Sequence, residues 1–177
     1  GVLIYNSDDF ALKSLTTGVI DKNIIPYSTP DYTIKNGINY IRYNNEEIKL
    51  SIFGMHNMIN IEGARLVCNN LGVNDKSFYQ SVSSFKGTSN RLELILSNSN
   101  GRLYKDFAHA PSKVKATVEA VREQFPELNF VACLELHTFS SLNKDFIDGY
   151  NGTLDIADTA CVYYNEHTLS MKRLPEL

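Results

Sequence analysis

Gly54-Met-His-Asn-Met-Ile-Asn60 sets Asn57 and Asn60 three residues apart where a helix is expected to begin. Two carboxamides then share one helical face and can offer a donor and an acceptor together, the geometry in which asparagine pairs with adenine N6 and N7. The same residues fit an ordinary N-cap, with Asn57 or His56 satisfying free backbone N–H groups. Arg91 and Asp106 stand on opposite sides of an expected hairpin. A guanidinium suits phosphate and a carboxylate suits ribose hydroxyls, although two such residues also make a plain solvated strand pair. His109 and His137 each follow an expected strand, and two imidazoles converging on one crevice would orient an amine or an anionic substrate.

Other chemistries find little support. The four histidines (56, 109, 137 and 167) show no His-x-x-x-His spacing and the cysteines no Cys-x-x-Cys, so no dedicated metal site is expected. Cys133 falls in mid-strand and is expected to be buried, which makes it a poor nucleophile. The sequence contains no Gly-x-x-x-x-Gly-Lys-Ser/Thr loop, so a phosphate cradle, if nucleotide is bound, lies elsewhere.

These residues need elements to position them. Gly1-Val-Leu-Ile-Tyr5 reads as a buried strand, and Asp8-Asp9 open a short helix from Phe10. From Ile24 to Ile52, short apolar runs broken by Asn36-Gly37 and Asn44-Asn45 predict an antiparallel meander. Met58, Ile59, Ala64, Val67, Cys68 and Leu71 recur near helical spacing, with Gly72 as C-cap, and a second helix is expected over Asp75 to Val82. The small, polar run at residues 85–90 has the composition of an interdomain connection, dividing the chain into residues 1–84 and 91–177. Beyond it come a hairpin, then a helix from Pro111 carrying Val114, Val118, Val121 and Phe125, a strand over Asn129 to Leu134, a helix over Asp145 to Ala157, and a strand over Thr159 to Tyr163. Strand, helix, strand, helix, strand implies a parallel α/β domain, in which ligands sit at the carboxyl ends of strands. Asp106 to Pro111 and Glu135 to Thr138 fall there.

Composition narrows the partners. At 177 residues with 43% apolar content the chain packs as one large domain or two small ones. Its net charge of −3 and its lack of a basic run exclude nucleic acid as an expected partner. Its longest apolar stretches are five residues, so no membrane span is expected. Three widely spaced cysteines, read as free and buried, suggest a cytoplasmic home. The opening strand without Met and the plain C-terminus suggest that the chain is truncated at both ends.

Taken in order, Gly54-x-His56-Asn57-x-x-Asn60, Phe85-x-Gly87-x-x-Asn90-Arg91-x-Glu93, Asp106-Phe-Ala-His109-Ala-Pro111 and Leu134-Glu-Leu-His137-Thr-Phe-Ser resemble the Mur ligase family. The resemblance runs the length of the chain. It implies that residues 1–84 are the later half of the family's P-loop-type central, ATP-binding domain and residues 91–177 its Rossmann-like C-terminal domain. It further implies an ATP-dependent, Mg2+-requiring ligase of peptidoglycan metabolism, in which a substrate carboxylate becomes an acyl phosphate that an amine attacks. Carried over by position, His56, Asn57 and Asn60 would contact adenine, Arg91 would reach the nucleotide and Asp106 would hold the ribose. His109 and His137 would face the incoming amino acid or peptide. Within the family the chain is most similar to the branch that uses UDP-N-acetylmuramate itself. Asp106-Phe-Ala-His109 and Leu134-Glu135 lean toward the members that attach L-alanyl-γ-D-glutamyl-meso-diaminopimelate in cell-wall recycling, whereas His137-Thr-Phe-Ser is closer to the L-alanine-adding members; the recycling activity is the one expected, with the L-alanine-adding one as the alternative. The family's His-His-Pro is His109-Ala110-Pro111 here, and its double arginine is Asn90-Arg91. A chain without the P-loop is expected to have no ligase activity alone, and a non-catalytic fragment that binds nucleotide or a partner is the competing reading.

Overall fold

The computed structural model describes residues 1–19, 23–136 and 144–164, and the chain divides into two compact units, Gly1–Gly87 and Thr88–Leu177.

In the first unit, strand β1 (Leu3–Asn6) leads into helix α1 (Phe10–Thr16), whose N-cap Asp9 accepts the Leu12 N–H at 3.0 Å. Strand β2 (Ile24–Tyr27) returns parallel to β1, with Leu3 opposite Ile24. The meander therefore begins later than its apolar pattern suggested. Pro26 in β2 lacks the N–H that a strand paired on both edges would need, and among the described residues β2 pairs with β1 alone. Strands β3 (Tyr32–Lys35), β4 (Ile38–Tyr43) and β5 (Glu46–Leu50) make the antiparallel sheet. Its two hairpins turn on Asn36-Gly37 and Asn44-Asn45, all four at positive φ, which matches the right-handed twist of the flanking strands.

Helix α2 (Met55–Asn70) and helix α3 (Asp75–Ser83) close over that sheet. Ile41, Leu50, Met58, Ile61, Phe78 and Tyr79 form the core, and Ile41 and Met58 are fully withdrawn from water. An ionic knot ties the two helices on their outer side. The Arg65 guanidinium clasps Glu62 with both ends, at 2.6 and 2.9 Å, and reaches Asp75 at 3.0 Å; the Asn69 amide donates to the same Asp75 oxygen at 2.8 Å. The Asn69 hydrogen bond, with help from Arg65, holds the Asp75 carboxyl below the usual carboxylate range. A group lowered on folding stabilises above its unfolded pKa, near 3.9, and loses that stabilisation as pH falls through its folded value. The stability difference between wild type and Asp75→Asn should thus be constant above about pH 5 and shrink below about pH 4. Denaturant unfolding at pH 7 and pH 3 checks this, and a pH-independent difference would show the carboxylate contributes nothing.

In the second unit, strands β6 (Glu93–Asn98) and β7 (Gly101–Lys105) form a hairpin whose turn closes on the Asn98 carboxamide, which accepts the Asn100 and Gly101 N–H groups at 2.9 and 3.1 Å. Helix α4 (Pro111–Gln124) has Pro111 in its first turn. Strand β8 (Val131–Leu136) then pairs in parallel with β9 (Thr159–Tyr164), as an α/β domain requires. Val114 and Val118 of α4 pack on Ala132, Leu134 and Leu136, with Ile147, Tyr150, Leu154 and Ala157 around them. The helix expected over Asp145 to Ala157 shrinks to α5 (Lys144–Ile147) and a 3-10 turn (Asp148–Tyr150). Gly149 and the Asn151-Gly152 pair, with Gly152 at φ 76°, end it. Arg122 of α4 staples the run before β9, donating to the Ile156 carbonyl at 3.0 Å and to Asp158 at 2.7 Å. Asp158 also accepts the Phe130 N–H at 2.7 Å, so one carboxylate positions the starts of both parallel strands.

Candidate functional site

Each unit carries some of the candidate residues. In the first, Gly54 precedes α2 at φ 90°, a conformation that costs other residues steric strain, and it swings the chain from β5 into the helix. His56 and Asn57 occupy the first helical turn, half-buried, and Asn60 follows one turn later in solvent. The Asn57 amide donates to the Phe53 carbonyl at 2.8 Å, which fixes its rotamer and leaves Oδ1 as an acceptor. The Asn57 Oδ1 is thus able to accept a hydrogen bond from a donor such as an amine. The exposed Asn60 carboxamide carries both a donor and an acceptor. Asn57 and Asn60, paired by their spacing, lie on one face at the start of α2 as i, i+3 neighbours do, and His56 lies four residues before Asn60.

In the second unit, the loop before β6 is held at every residue. Asn90 sits at φ 57° and Leu92 at φ 45°, the latter a costly conformation for a buried leucine. The Glu93 carboxylate accepts the Asn90 N–H at 2.8 Å and the Ser89 hydroxyl at 3.2 Å, and the Asn90 bond holds that carboxyl below its usual range. The Asn90 carbonyl accepts the Phe107 N–H at 2.9 Å. The Leu92 N–H donates to Asp106 at 2.8 Å. Arg91 lies between the two strained residues with its side chain exposed. Such strain persists only where surrounding bonds over-determine it, and it concentrates at functional sites.

Asp106 is the centre of this arrangement. One carboxylate oxygen takes the Leu92 N–H; the other takes the Ala108 N–H at 2.7 Å and the Thr117 hydroxyl at 3.3 Å. The carboxylate ties the start of β6, the end of β7 and helix α4 together. Arg91 and Asp106 are joined through the backbone rather than as a side-chain ion pair, which departs from the solvated-pair alternative. Two residues on, the His109 ring nitrogen Nδ1 lies 3.0 Å from the Phe107 carbonyl. A carbonyl only accepts, so Nδ1 carries the proton and Nε2 is left with its lone pair. The Tyr150 hydroxyl donates to the His109 carbonyl, and Pro111 starts α4 immediately after, so the imidazole is held at both ends of its loop. Burial pushes the Tyr150 hydroxyl up, keeping it a donor. Sequence reasoning missed Thr117, Tyr150 and the bracing role of Glu93; only Glu93 gave a signal, by its place in the Asn90-Arg91-x-Glu93 block. His137 lies outside the described residues.

A cavity of about 790 Å³ opens beside this loop. Tyr104 of β7, Val118 of α4, Phe125 at the end of that helix and Val131 of β8 line it, together with Asp106 and Thr117. Among the described residues no cluster of three or more His, Cys, Asp or Glu side chains stands ready to hold a metal ion. No described helix is long and apolar enough to cross a membrane.

No protein-family model matches the chain. It is 34% identical over 176 residues to the UDP-N-acetylmuramate–L-alanine ligase of Caldicellulosiruptor bescii, a match covering 92% of this chain and 38% of that protein. Its fold superimposes on the crystal structure of UDP-N-acetylmuramate-alanine ligase from Thermotoga maritima with a TM-score of 0.70, over 97% of this chain and 39% of that one, at 17% identity. The chain belongs to the Mur ligase family. It spans about two fifths of the length of the ligases it matches. The same fold extends to the folylpolyglutamate synthase of Mycobacterium tuberculosis, solved with ADP, at a TM-score of 0.60 and 16% identity over 79% of this chain and 32% of that one. This Mur ligase chain has the mixed α/β architecture of those enzymes: a small antiparallel sheet and an α/β unit with parallel β8 and β9.

Proposed function

We propose that the complete protein is an ATP-dependent ligase of peptidoglycan synthesis that joins UDP-N-acetylmuramate to L-alanine through an acyl phosphate. The observation that carries this reading is the 34% identity to a UDP-N-acetylmuramate–L-alanine ligase along 92% of the chain. ATP use is supported by the ADP in the related folylpolyglutamate synthase and by the donor and acceptor set at the start of α2. Attachment of L-alanyl-γ-D-glutamyl-meso-diaminopimelate is the second reading, favoured by Asp106-Phe-Ala-His109 and Leu134-Glu135 in the sequence.

ATP supplies the phosphoryl group, and this chain's residues bind and orient around it. Asn57 Oδ1 accepts from the adenine amine, His56 packs beside it, and Asn60 completes the pair. Arg91, presented on the braced loop, contacts the nucleotide phosphates. Asp106 has one oxygen engaged by a single N–H and so keeps acceptor capacity for a ribose hydroxyl. His109 Nε2 takes the proton from the incoming ammonium, because only the free amine attacks a carbonyl. His137 is assigned to the amino substrate on resemblance alone. Among the described residues no cluster of three or more His, Cys, Asp or Glu side chains stands ready to hold Mg2+. The reaction places the protein in the cytoplasm, where UDP-linked precursors and ATP occur together.

ADP release by the complete protein with UDP-N-acetylmuramate tests the reading. Turnover is expected with L-alanine, and none with residues 1–177 alone, which lack a phosphate-binding loop. Turnover with the tripeptide and not with L-alanine would replace the first reading by the second. Silence with both would remove the ligase assignment.

A further inference from the structure

The 3-10 turn Asp148–Tyr150 seats against the run that carries His109, although 41 residues separate Tyr150 from His109. The Tyr150 ring packs against the core that α4 and β8 share, and Phe146 meets it edge-on at 6.1 Å, so its hydroxyl is delivered from a fixed body. That hydroxyl donates to the His109 carbonyl. One residue earlier, a Cβ on Gly149 would lie 3.1 Å from Pro111 Cγ, tighter than an ordinary carbon contact, so only glycine lets the turn sit this close without a shift. The turn therefore straddles Ala110, with one contact on the residue before it and one on the residue after. Both contacts lie inside the second unit, so they do not depend on which surfaces the rest of the protein covers.

The backbone on either side of His109 is fixed by other means. Upstream, Asp106 holds the Ala108 N–H at 2.7 Å. Downstream, Pro111 confines Ala110 to extended backbone, at φ −97° and ψ 144°. The peptide that joins His109 to Ala110 is what those two constraints leave free, and the Tyr150 bond to its carbonyl fixes it. The Nδ1 contact with the Phe107 carbonyl reaches back only two residues, so its geometry follows the backbone angles of Ala108 and His109. We propose that Tyr150 is a positioning residue for the amino-substrate step, its hydroxyl fixing the peptide after His109 and so aiming the Nε2 lone pair at the incoming amine. Tyr150 acts through His109, and the inference rests on the role proposed for that histidine.

Tyr150→Phe in the complete protein removes the hydroxyl and keeps the ring in the core. The first readout needs no turnover. With histidines labelled with nitrogen-15, long-range nitrogen–proton spectra above about pH 8, where an ordinary imidazole is neutral, report which ring nitrogen carries the proton. The His109 signal is assigned by its absence from His109→Asn. The wild type should show the proton on Nδ1, and Tyr150→Phe a mixture of both tautomers. The second readout is kinetic: kcat/KM for the amino substrate should fall about tenfold in Tyr150→Phe, with the ATP KM within about twofold of wild type. Added to His109→Asn, the same change should cost nothing more, because no lone pair is left to aim. A general loosening of the unit would instead add its loss in the double variant and raise the ATP KM. The proposal is overturned by a Tyr150→Phe spectrum identical to that of the wild type, or by losses that add. A spectrum that shifts in a protein without turnover would retain the positioning of His109 and remove the ligase reading.

Discussion

Replacing Asp106 with alanine is expected to destabilise the second unit by about 2–4 kcal/mol, the scale of losing several hydrogen bonds to one charged acceptor. The carboxylate is the shared anchor of the Leu92 N–H, the Ala108 N–H and the Thr117 hydroxyl. Without it, Leu92 has little reason to remain at φ 45°, and the loop presenting Arg91 relaxes. The ATP KM of the complete enzyme should therefore rise, through Arg91 as well as through the ribose. The two routes separate with 2′-deoxy-ATP. If Asp106 touches the ribose, the wild type discriminates between ATP and 2′-deoxy-ATP and Asp106→Asn does not. If Asp106 only braces the loop, the discrimination is the same in both. Thermal unfolding supplies the stability half of the prediction, and an Asp106→Ala protein that melts with the wild type would refute the anchor.

His109→Asn should cost about a hundredfold to ten-thousandfold in kcat/KM for the amino substrate, the usual range for losing a positioned proton acceptor. Asparagine can still donate to the Phe107 carbonyl from the position of Nδ1, so the loop and the Tyr150 contact are retained while the Nε2 lone pair is removed. The melting temperature and the ATP KM should stay near wild type. A variant with wild-type kcat/KM would leave His109 as a loop residue only.

How legible this was depended on the range of the interactions. Helix α4 could be read because Pro111 opens it and Val114 and Val118 mark its buried face, all local information. Both hairpin turns of the meander could be read from Asn36-Gly37 and Asn44-Asn45, whose residues tolerate positive φ. The strand Ile24–Tyr27 was misgrouped because its partner, β1, lies across a helix, and apolar pattern does not say which strand pairs with which. The helix over 145–157 failed because apolar spacing was weighed above Gly149 and Asn151-Gly152. Cys133, expected to be buried, is exposed among the described residues, because it alternates away from the β8 face that packs on α4. At the site, residue types pointed to Arg91, Asp106 and His109. Spacing could not reveal that Asp106 anchors Leu92, Ala108 and Thr117, since two of those partners lie 14 and 11 residues away.

The most direct test of the ligase reading follows the oxygen atoms. The complete protein is given ATP, L-alanine and UDP-N-acetylmuramate labelled with oxygen-18 in its carboxylate. An acyl phosphate is formed by that carboxylate attacking the γ-phosphorus, so amide formation must leave one labelled oxygen in each phosphate released. Mass analysis of the phosphate is expected to find one oxygen-18 per turnover. Unlabelled phosphate accompanying amide formation would contradict the acyl phosphate, and with it the role given to every residue placed around it.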